Sequence, residues 1–353
     1  MKHVITCTTL LGLILCGLFG FSGASFGKWQ EKDLMLTPRW GLATTAVDEK
    51  IYALGGQDNT PQVHAAEEYD TKTGNWSEKK NMPTGRLWLG AATIKGRVYA
   101  IGGTKDNFTA LGAVEEYNPR TDTWTRKTDM PTPRLGFGIA VIGNRIWTVG
   151  GAGDLFIPSP AVEVYSPETD TWEKKPDMPN PRWGIGAAAV LSKIYIFGGA
   201  LDNLRKKATD SIDEYDTRTD TWTPKTKLSR ELYGVSAAFV NSGKIYVIGG
   251  QAWQGRGGVV VEDWAFYPTV AEYDPETDKL TKVNDDMPTA RSTSGDSVVG
   301  GKVYVIGGWP GGAGGGRNHT EVFTPPGWPF PATFSVSPQD KLATTWGEIK
   351  HRQ

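Results

Sequence analysis

The stretch EEYNPRTDTWTRKTDMPTPRLGFG, residues 115–138, contains an order of residues that recurs along the chain and decides the fold. In it, Tyr117 is followed seven residues later by Trp124, then by a Met-Pro pair and by Arg134. The segment between Tyr117 and Trp124 is rich in Asn, Pro, Asp and Thr, which favour tight turns. The pattern therefore predicts that Tyr117 and Trp124 lie on adjacent antiparallel strands.

The same order recurs around six diglycines, at 55–56, 102–103, 150–151, 198–199, 249–250 and 307–308. Each diglycine ends an apolar, β-branched and aromatic run typical of a strand, such as IYALGG or VYVIGG. Each unit thus has four predicted strands: one after the Arg, one ending in Gly-Gly, one carrying the Tyr and one carrying the Trp. Because so small a sheet cannot bury both faces alone, we expect radial stacking. The sequence predicts an all-β, six-bladed β-propeller of four-stranded antiparallel blades.

The sixth unit lacks its own Trp strand, since Phe323 is followed by TPPGWPFP, whose prolines cannot join a sheet ladder. Near the N-terminus, however, Trp29, Met35 and Arg39 have the spacing of the end of a blade. We therefore expect an N-terminal strand to complete the sixth blade and close the ring. The alternative is a frayed N-terminal extension.

These motifs resemble the kelch-repeat family, whose blades carry Gly-Gly, then Tyr, then Trp at this spacing. The resemblance covers about Lys28 to Thr324, and it departs at Leu280, which replaces the Trp, and at Phe323, which replaces the Tyr. It implies a propeller fold. Galactose oxidase-like relatives use a Tyr-Cys crosslink and copper, but this chain has no cysteine after residue 16.

The N-terminal segment predicts export. Residues 1–24 combine a basic start at Lys2, an apolar run and a small-residue cleavage site ending at Ala24. We expect a signal peptide over 1–24, the propeller over 25–324 and a C-terminal extension over 325–353, and a secreted, periplasmic or cell-surface location. An uncleaved membrane anchor and lipid attachment at Cys16 are the alternatives.

Composition and motifs exclude several functions. A formal charge of −1 gives no electrostatic footprint for nucleic acid or for an anionic membrane once the signal is removed. The histidines after the signal, His64, His319 and His351, have no paired spacing for a metal. We therefore expect no metal and no cofactor. We also expect a monomer.

Strand direction assigns the loops to faces. If each first strand starts at one face, the second ends there, so the blade-start arginines and the loops after the diglycines share a face, here called the loop face. The distance from Arg to Gly-Gly is constant, whereas these loops vary in length. The longest, residues 251–272, contains Trp253 and Arg256 and predicts a lid over the central opening or, alternatively, a hydrophobic plug.

Arginines and aromatic residues at the loop face predict a cationic, aromatic-lined cup, because guanidinium groups bind carboxylates and indoles stack on sugars or peptide side chains. The candidate ligand-binding residues are Arg39, Trp40, Arg86, Trp88, Arg134, Arg182, Trp183, Tyr233, Trp253, Arg256, Arg291 and Trp309. Alternatively, the arginines only pin carbonyls and neighbouring loops. The Asp and Asn residues after the diglycines, such as Asp106 and Asp202, predict turns or contacts with ligand hydroxyls.

The sequence favours a non-catalytic, exported protein that binds a protein, peptide or glycan through the loop face. A carbohydrate-active enzyme of the N-acetylneuraminate epimerase (mutarotase) type, with an acid–base Glu or Asp at the same mouth, is the alternative. A purely structural envelope module that docks through residues 325–353 is a third hypothesis.

Overall fold

Six antiparallel sheets of four strands dominate the part of the chain that the computed structural model describes, residues 27–58, 64–254, 264–312 and 315–328. A two-stranded hairpin and one 3-10 turn, Asp154–Phe156, complete the described elements. No helix within these ranges is long and apolar enough to cross a membrane. The prediction of an all-β, six-bladed propeller is confirmed. The predicted signal peptide and nearly all of residues 325–353 lie outside the described residues.

Each blade is a meander in chain order. Blade 1 contains β2 (Ala43–Val47), β3 (Lys50–Leu54), β4 (Ala66–Asp70) and β5 (Trp76–Lys79). Blade 2 contains β6 (Gly90–Ile94), β7 (Arg97–Ile101), β8 (Val114–Asn118) and β9 (Thr123–Lys127), and blade 3 contains β10 (Gly138–Ile142), β11 (Arg145–Val149), β12 (Val162–Ser166) and β13 (Thr171–Lys175). Blade 4 contains β14 (Gly186–Val190), β15 (Lys193–Phe197), β16 (Thr209–Asp216) and β17 (Thr221–Leu232).

Blade 5 contains β18 (Ser236–Phe239), β19 (Ile245–Ile248), β22 (Val270–Asp274) and β23 (Lys279–Val283), and the hairpin β20 (Gln251–Trp253) and β21 (Trp264–Phe266) is inserted within it. Blade 6 contains β24 (Gly295–Val299), β25 (Lys302–Ile306), β26 (Thr320–Thr324) and, as its outer strand, β1 (Lys28–Lys32). The N-terminal strand therefore closes the ring, as predicted.

Trp29 anchors this closure. It is the register partner of Phe323, and the two rings lie 5.1 Å apart between centroids. Its indole N–H donates a hydrogen bond of 3.0 Å to the Asp285 carbonyl, on the segment that leads from blade 5 into blade 6. Phe323 at the usual Tyr position thus still packs against a Trp, although that Trp comes from the opposite end of the propeller sequence.

The Tyr, Trp and turn Asp of the motif connect consecutive blades. Tyr117 and Trp124 are register partners, as predicted, with ring centroids 5.0 Å apart. The Tyr117 hydroxyl donates to Asp122 at 2.7 Å, and Asp122 also accepts a hydrogen bond of 2.8 Å from the backbone N–H of Lys80 in blade 1. The Trp124 indole donates to the Lys80 carbonyl at 2.7 Å. The same contacts recur between blades 2 and 3 through Asp170 and Trp172.

The hydrophobic core lies mainly between the blades. One cluster joins Tyr52 and Leu54 of blade 1 to Leu89, Val98 and Tyr117 of blade 2, and all of these are buried. Since each sheet covers the apolar face of its neighbour, the six blades stabilise one another only as a ring.

Candidate functional site

The segment that begins each blade and the segment that follows each diglycine lie side by side. Short antiparallel bridges join the residue after the blade-start position to the residue after Gly-Gly; they are Trp40↔Gln57, Leu87↔Thr104, Leu135↔Ala152, Trp183↔Ala200, Tyr233↔Gln251 and Ser292↔Trp309. The structure thereby confirms that the blade starts and the loops after the diglycines share one face.

The five blade-start arginines do not line the mouth of this face. They are Arg39, Arg86, Arg134, Arg182 and Arg291, and each is 0% exposed. The structure therefore places them beneath the surface of the predicted cup, where a guanidinium is not accessible to a ligand. Their positions agree with the alternative interpretation, in which these arginines donate hydrogen bonds to backbone carbonyls.

Arg134 shows the arrangement in full. Its guanidinium donates to the carbonyls of Gly150 at 2.7 Å and Ala161 at 2.8 Å, and it pairs with Glu163 at 2.7 Å. It therefore holds the second and third strands of blade 3 together where they leave the sheet. Burial lowers the pKa of Arg134, and the charge of Glu163 opposes that shift.

An acidic partner accompanies every blade-start arginine. The pairs are Arg39 with Glu67, Arg86 with Glu115, Arg134 with Glu163, Arg182 with Asp213 and Arg291 with Glu321. Each acid lies two residues before the Tyr or Phe of its blade. In blade 5 both partners are missing together, since Leu232 and Ala271 occupy the two positions. This paired loss was visible in the sequence and indicates an internal ion pair.

A closed ring of six backbone hydrogen bonds surrounds the axis at the loop face, and we call it the axial ring. Its members are Gly41, Trp88, Gly136, Gly184, Gly234 and Thr293, each of which donates its N–H to the carbonyl of another member at 2.6–3.0 Å. All six have a positive φ, between 55° and 65°. Glycine adopts this conformation readily, which explains its use at four of the six positions.

Trp88 and Thr293 are the members of the axial ring that carry side chains. Their φ values are 57° and 55°, a left-handed conformation that is costly for a bulky or β-branched residue. The indole N–H of Trp88 and the hydroxyl of Thr293 are both buried and lack a hydrogen-bond partner. Strained backbone and unpaired polar atoms together are typical of a ligand site.

Both side chains line a cavity of about 200 Å³ on the loop face, which we call the loop-face cavity. Its other lining residues are Trp40, Arg205, Gln251, Trp309, Gly312 and Gly315. The ring of Trp40 contacts those of Trp88 and Trp309, with centroids 5.7 Å and 6.1 Å away. The described lining contains one cationic side chain, that of Arg205, and no carboxylate.

Trp183 and Tyr233 support this cavity from behind rather than line it. Both are fully buried, and Trp183 contacts Trp88 at 5.6 Å and Tyr233 at 5.9 Å between ring centroids. Burial raises the pKa of Tyr233 to about 12, and the positive charge of Arg205 opposes that shift. Because the structure buries these two rings, it places them outside the predicted contact surface.

The hairpin of the long loop completes the aromatic wall. Trp253 is half-buried and pairs in register with Trp264, whose ring lies 5.9 Å from Tyr233. The ring of Phe266 contacts that of Trp309, with centroids 5.2 Å apart. Arg256 lies outside the described residues. Only the two strands at the base of this loop are described, so the lid or plug stays a prediction.

Sequence reasoning missed Arg205, Gln251 and Thr293. Gln251 is buried, and the Ser292 hydroxyl donates to its side-chain oxygen at 2.5 Å. The prediction selected arginines that recur at regular spacing, and it therefore overlooked Arg205, which occurs in one loop only. The run STSGDS at residues 292–297, where the other blades have apolar and small residues, was the available signal for Thr293.

Exposed apolar side chains lie on three consecutive loops of the loop face, one of which also carries the cavity residue Arg205. They are Phe108 in blade 2, Leu155 and Ile157 in blade 3, and Leu201 and Leu204 in blade 4, with exposed fractions of 42–62%. We call this set the apolar rim. The backbone N–H of Leu155 donates to the Phe108 carbonyl at 2.8 Å, so two of the loops are joined.

Aspartates fix the shape of the rim loops. Asp106 accepts hydrogen bonds from the backbone N–H groups of Phe108 and Thr109, at 2.9 Å and 2.7 Å, and these lower its pKa to about 2. Asp202 accepts one from the Lys206 N–H at 3.0 Å. The turn interpretation of these residues is therefore the one that the contacts support. No group of three metal-binding side chains is present among the described residues.

Comparisons with known proteins agree with this architecture. The family model for the KLHDC2/KLHL20/DRC7 Kelch-repeats domain matches residues 19–151, and the Kelch motif model matches residues 133–179 and 181–229. The solved structure of YjhT aligns with a TM-score of 0.71 and 16% identity, and the alignment covers 82% of this chain and 95% of that one. At this identity the likeness shows the fold alone. No curated protein sequence matches this chain.

Proposed function

Since this chain belongs to the kelch-repeat family of β-propellers, we propose that it is a non-catalytic binding protein that recognises a protein, peptide or glycan at its loop face. In this proposal the chain is exported through residues 1–24 and acts as a monomer in a secreted, periplasmic or cell-surface location. The contact surface comprises the loop-face cavity and the apolar rim.

One observation carries the proposal: the apolar rim adjoins a cavity with unpaired donors. Large apolar side chains exposed on consecutive loops, rather than scattered over the surface, mark an interaction site. The cavity offers indole faces, the Trp88 N–H and the Thr293 hydroxyl to a group that enters it. A rim of this size favours a polypeptide, whose backbone can cross the loops while one side chain enters the cavity.

The charge of the residues that line the loop-face cavity limits which chemical groups can bind there. Arg205 lines the cavity, is partly exposed and stacks its guanidinium over Phe156 at 5.7 Å. The described lining contains no carboxylate, so a cationic group would be repelled by Arg205 and would have only the indole faces to offset that repulsion. We therefore expect a neutral or anionic group with an apolar face.

Peptide and glycan arrays with the purified mature chain and two variants test this proposal. Trp88→Gly removes the cavity wall at a position where glycine occupies four of the six equivalents, and Leu155→Ser removes part of the rim. Trp328→Gly, which removes a tryptophan that is 40% exposed away from the cavity, is the matched control.

We expect one class of array ligand to bind the wild type and the control and to lose binding in both variants. Binding that persists unchanged in Trp88→Gly and Leu155→Ser would contradict the proposed surface. The mutarotase-type alternative requires an acid–base carboxylate at the mouth, and the described cavity lining offers none. Anomer exchange of N-acetylneuraminate above the uncatalysed rate, followed by NMR, would favour that alternative.

A further inference from the structure

The innermost strands of the six blades carry a single ionisable side chain. Their sequences are ATTAV, GAATI, GIAVI, GAAAV, SAAF and GDSVV, and the ionisable residue is Asp296 in blade 6. The residues at the same position in the other blades are Thr44, Ala91, Ile139, Ala187 and Ala237. A carboxyl group on one wall of an otherwise uncharged channel is costly unless something binds it.

Hydroxyl groups from three blades surround this position. The Ser236 hydroxyl of blade 5 lies 3.3 Å from the Ser294 hydroxyl, and Ser294 lies two residues before Asp296, so the alternation of extended backbone places both side chains on the same side. On the other side, Ser297 donates to Thr44 of blade 1 at 3.0 Å. None of the described cationic side chains forms an ion pair with Asp296. The wall made by blade 6 and its neighbours is therefore rich in oxygen acceptors and lacks a positive charge.

A second cavity adjoins this wall beneath the axial ring, and we call it the channel cavity. Its volume is about 110 Å³, and Thr293 and Ser294 line it on the blade 6 side. The Thr293 hydroxyl is buried without a partner, and Thr293 itself is only 8% exposed. The opposite walls are apolar. They consist of Leu42, Leu89, Phe137, Ile185 and Val235, together with the other members of the axial ring.

We propose that the axial channel binds a primary alkylammonium group. Its three N–H donors would be taken by the Asp296 carboxylate and by the Ser294 and Thr293 hydroxyls, and its methylene groups would lie against Leu89, Phe137 and Ile185. The same chemistry is offered by a free amine and by the side chain of a lysine in a peptide. This site shares Trp88 and Thr293 with the loop-face cavity on the other side of the axial ring, but its carboxylate, Asp296, does not line that cavity.

The site should respond to pH through Asp296. Burial raises the pKa of this carboxyl to about 7, and the Ser236 hydrogen bond opposes the shift. The strands packed against β24 are β25, β18, β2 and β3, and their titratable groups are Lys302, Tyr304, Lys50 and Tyr52. None of these pairs with Asp296, whose register partner is Val305.

Isothermal titration with n-butylammonium chloride tests the proposal at about pH 8, where Asp296 is ionised, and at about pH 5.5, where it is protonated. Sodium and potassium chloride at the same ionic strength control for general salt effects. A short peptide with one internal lysine, compared with its norleucine analogue, distinguishes a peptide source from a free amine. The variants are Asp296→Asn and Thr293→Val, and Glu78→Gln removes an exposed carboxylate as the matched control.

We expect wild type and Glu78→Gln to bind butylammonium at the higher pH, and Asp296→Asn to bind it about tenfold to hundredfold more weakly. The affinity of the wild type should fall by a similar factor at the lower pH. Thr293→Val, which keeps the β-branched shape, should weaken binding less than Asp296→Asn. No binding by the wild type, equal binding by Asp296→Asn, or a response to the inorganic salts that matches butylammonium would each overturn the proposal.

Discussion

Arg134 illustrates how the chain uses a charge inside an apolar fold. Its carbonyl and carboxylate partners satisfy most of the guanidinium, so its burial with Glu163 leaves little unpaired charge. The repeated arginine therefore explains how five of the six blades keep their shape at the loop face.

Arg134→Ala should lower the free energy of unfolding by about 3–5 kcal/mol, because it leaves Glu163 buried without its partner. Urea unfolding followed by tryptophan fluorescence measures this. Arg145→Ala removes an exposed ion pair with Glu173 and should cost no more than about 1 kcal/mol. Equal costs for the two variants would contradict the internal role of Arg134.

Trp88→Gly should cost less stability than an ordinary truncation of a buried tryptophan. Such truncations cost about 3–5 kcal/mol when alanine replaces the ring, but here glycine also removes the strain of a left-handed residue, worth about 1–3 kcal/mol. Trp147→Gly, a buried tryptophan within β11, gives the comparison in the same unfolding assay. A larger loss at Trp88 than at Trp147 would argue against strain in the axial ring.

Asp296 should make stability fall as the pH rises from about 4 to about 7. Since burial raises its folded pKa to about 7, the folded state holds a proton that the unfolded state has released in this window. The free energy of unfolding should drop by up to about 1.4 kcal/mol per pH unit there. Asp296→Asn should abolish that component of the pH profile, and parallel profiles for both proteins would contradict the assignment.

At the scale of elements, β1 decides whether the propeller is closed. It supplies the outer strand of blade 6, and its register partners run from Thr324 to Thr320 along β26. Removal of residues 1–32 should expose that edge and lower the melting temperature by several degrees, whereas removal of residues 1–26 should leave it unchanged. Differential scanning calorimetry compares the two truncations, and equal melting temperatures would show that β1 does not close the ring.

The strands were predictable from the sequence because their chemistry repeats. Gly-Gly, Tyr and Trp recur at fixed intervals, so each unit supports the assignment of the others, and even the displaced Trp29 could be placed. The site was harder because it lies where the repeats differ. Arg205, Gln251 and Thr293 each belong to a different blade, and nothing in their spacing shows that all three line the loop-face cavity.

At the scale of the whole molecule, the two faces differ in chemistry. The Tyr-to-Trp turns of the opposite face are polar and of constant length, whereas the loop face combines variable loops, the loop-face cavity and the apolar rim. A propeller that holds its blades rigidly can vary these loops without loss of the fold. We therefore propose that this protein binds its partners at the loop face.

Site-specific photocrosslinking in the producing cell shows which face of the propeller meets a partner. A photoreactive phenylalanine analogue replaces Leu155 on the apolar rim in one protein and Glu168, which lies in a turn of the opposite face, in another. We predict discrete crosslinked adducts from position 155 that Trp88→Gly abolishes in the same chain. Adducts from position 168 alone, or adducts from position 155 that survive Trp88→Gly unchanged, would show that partners do not bind at the loop face.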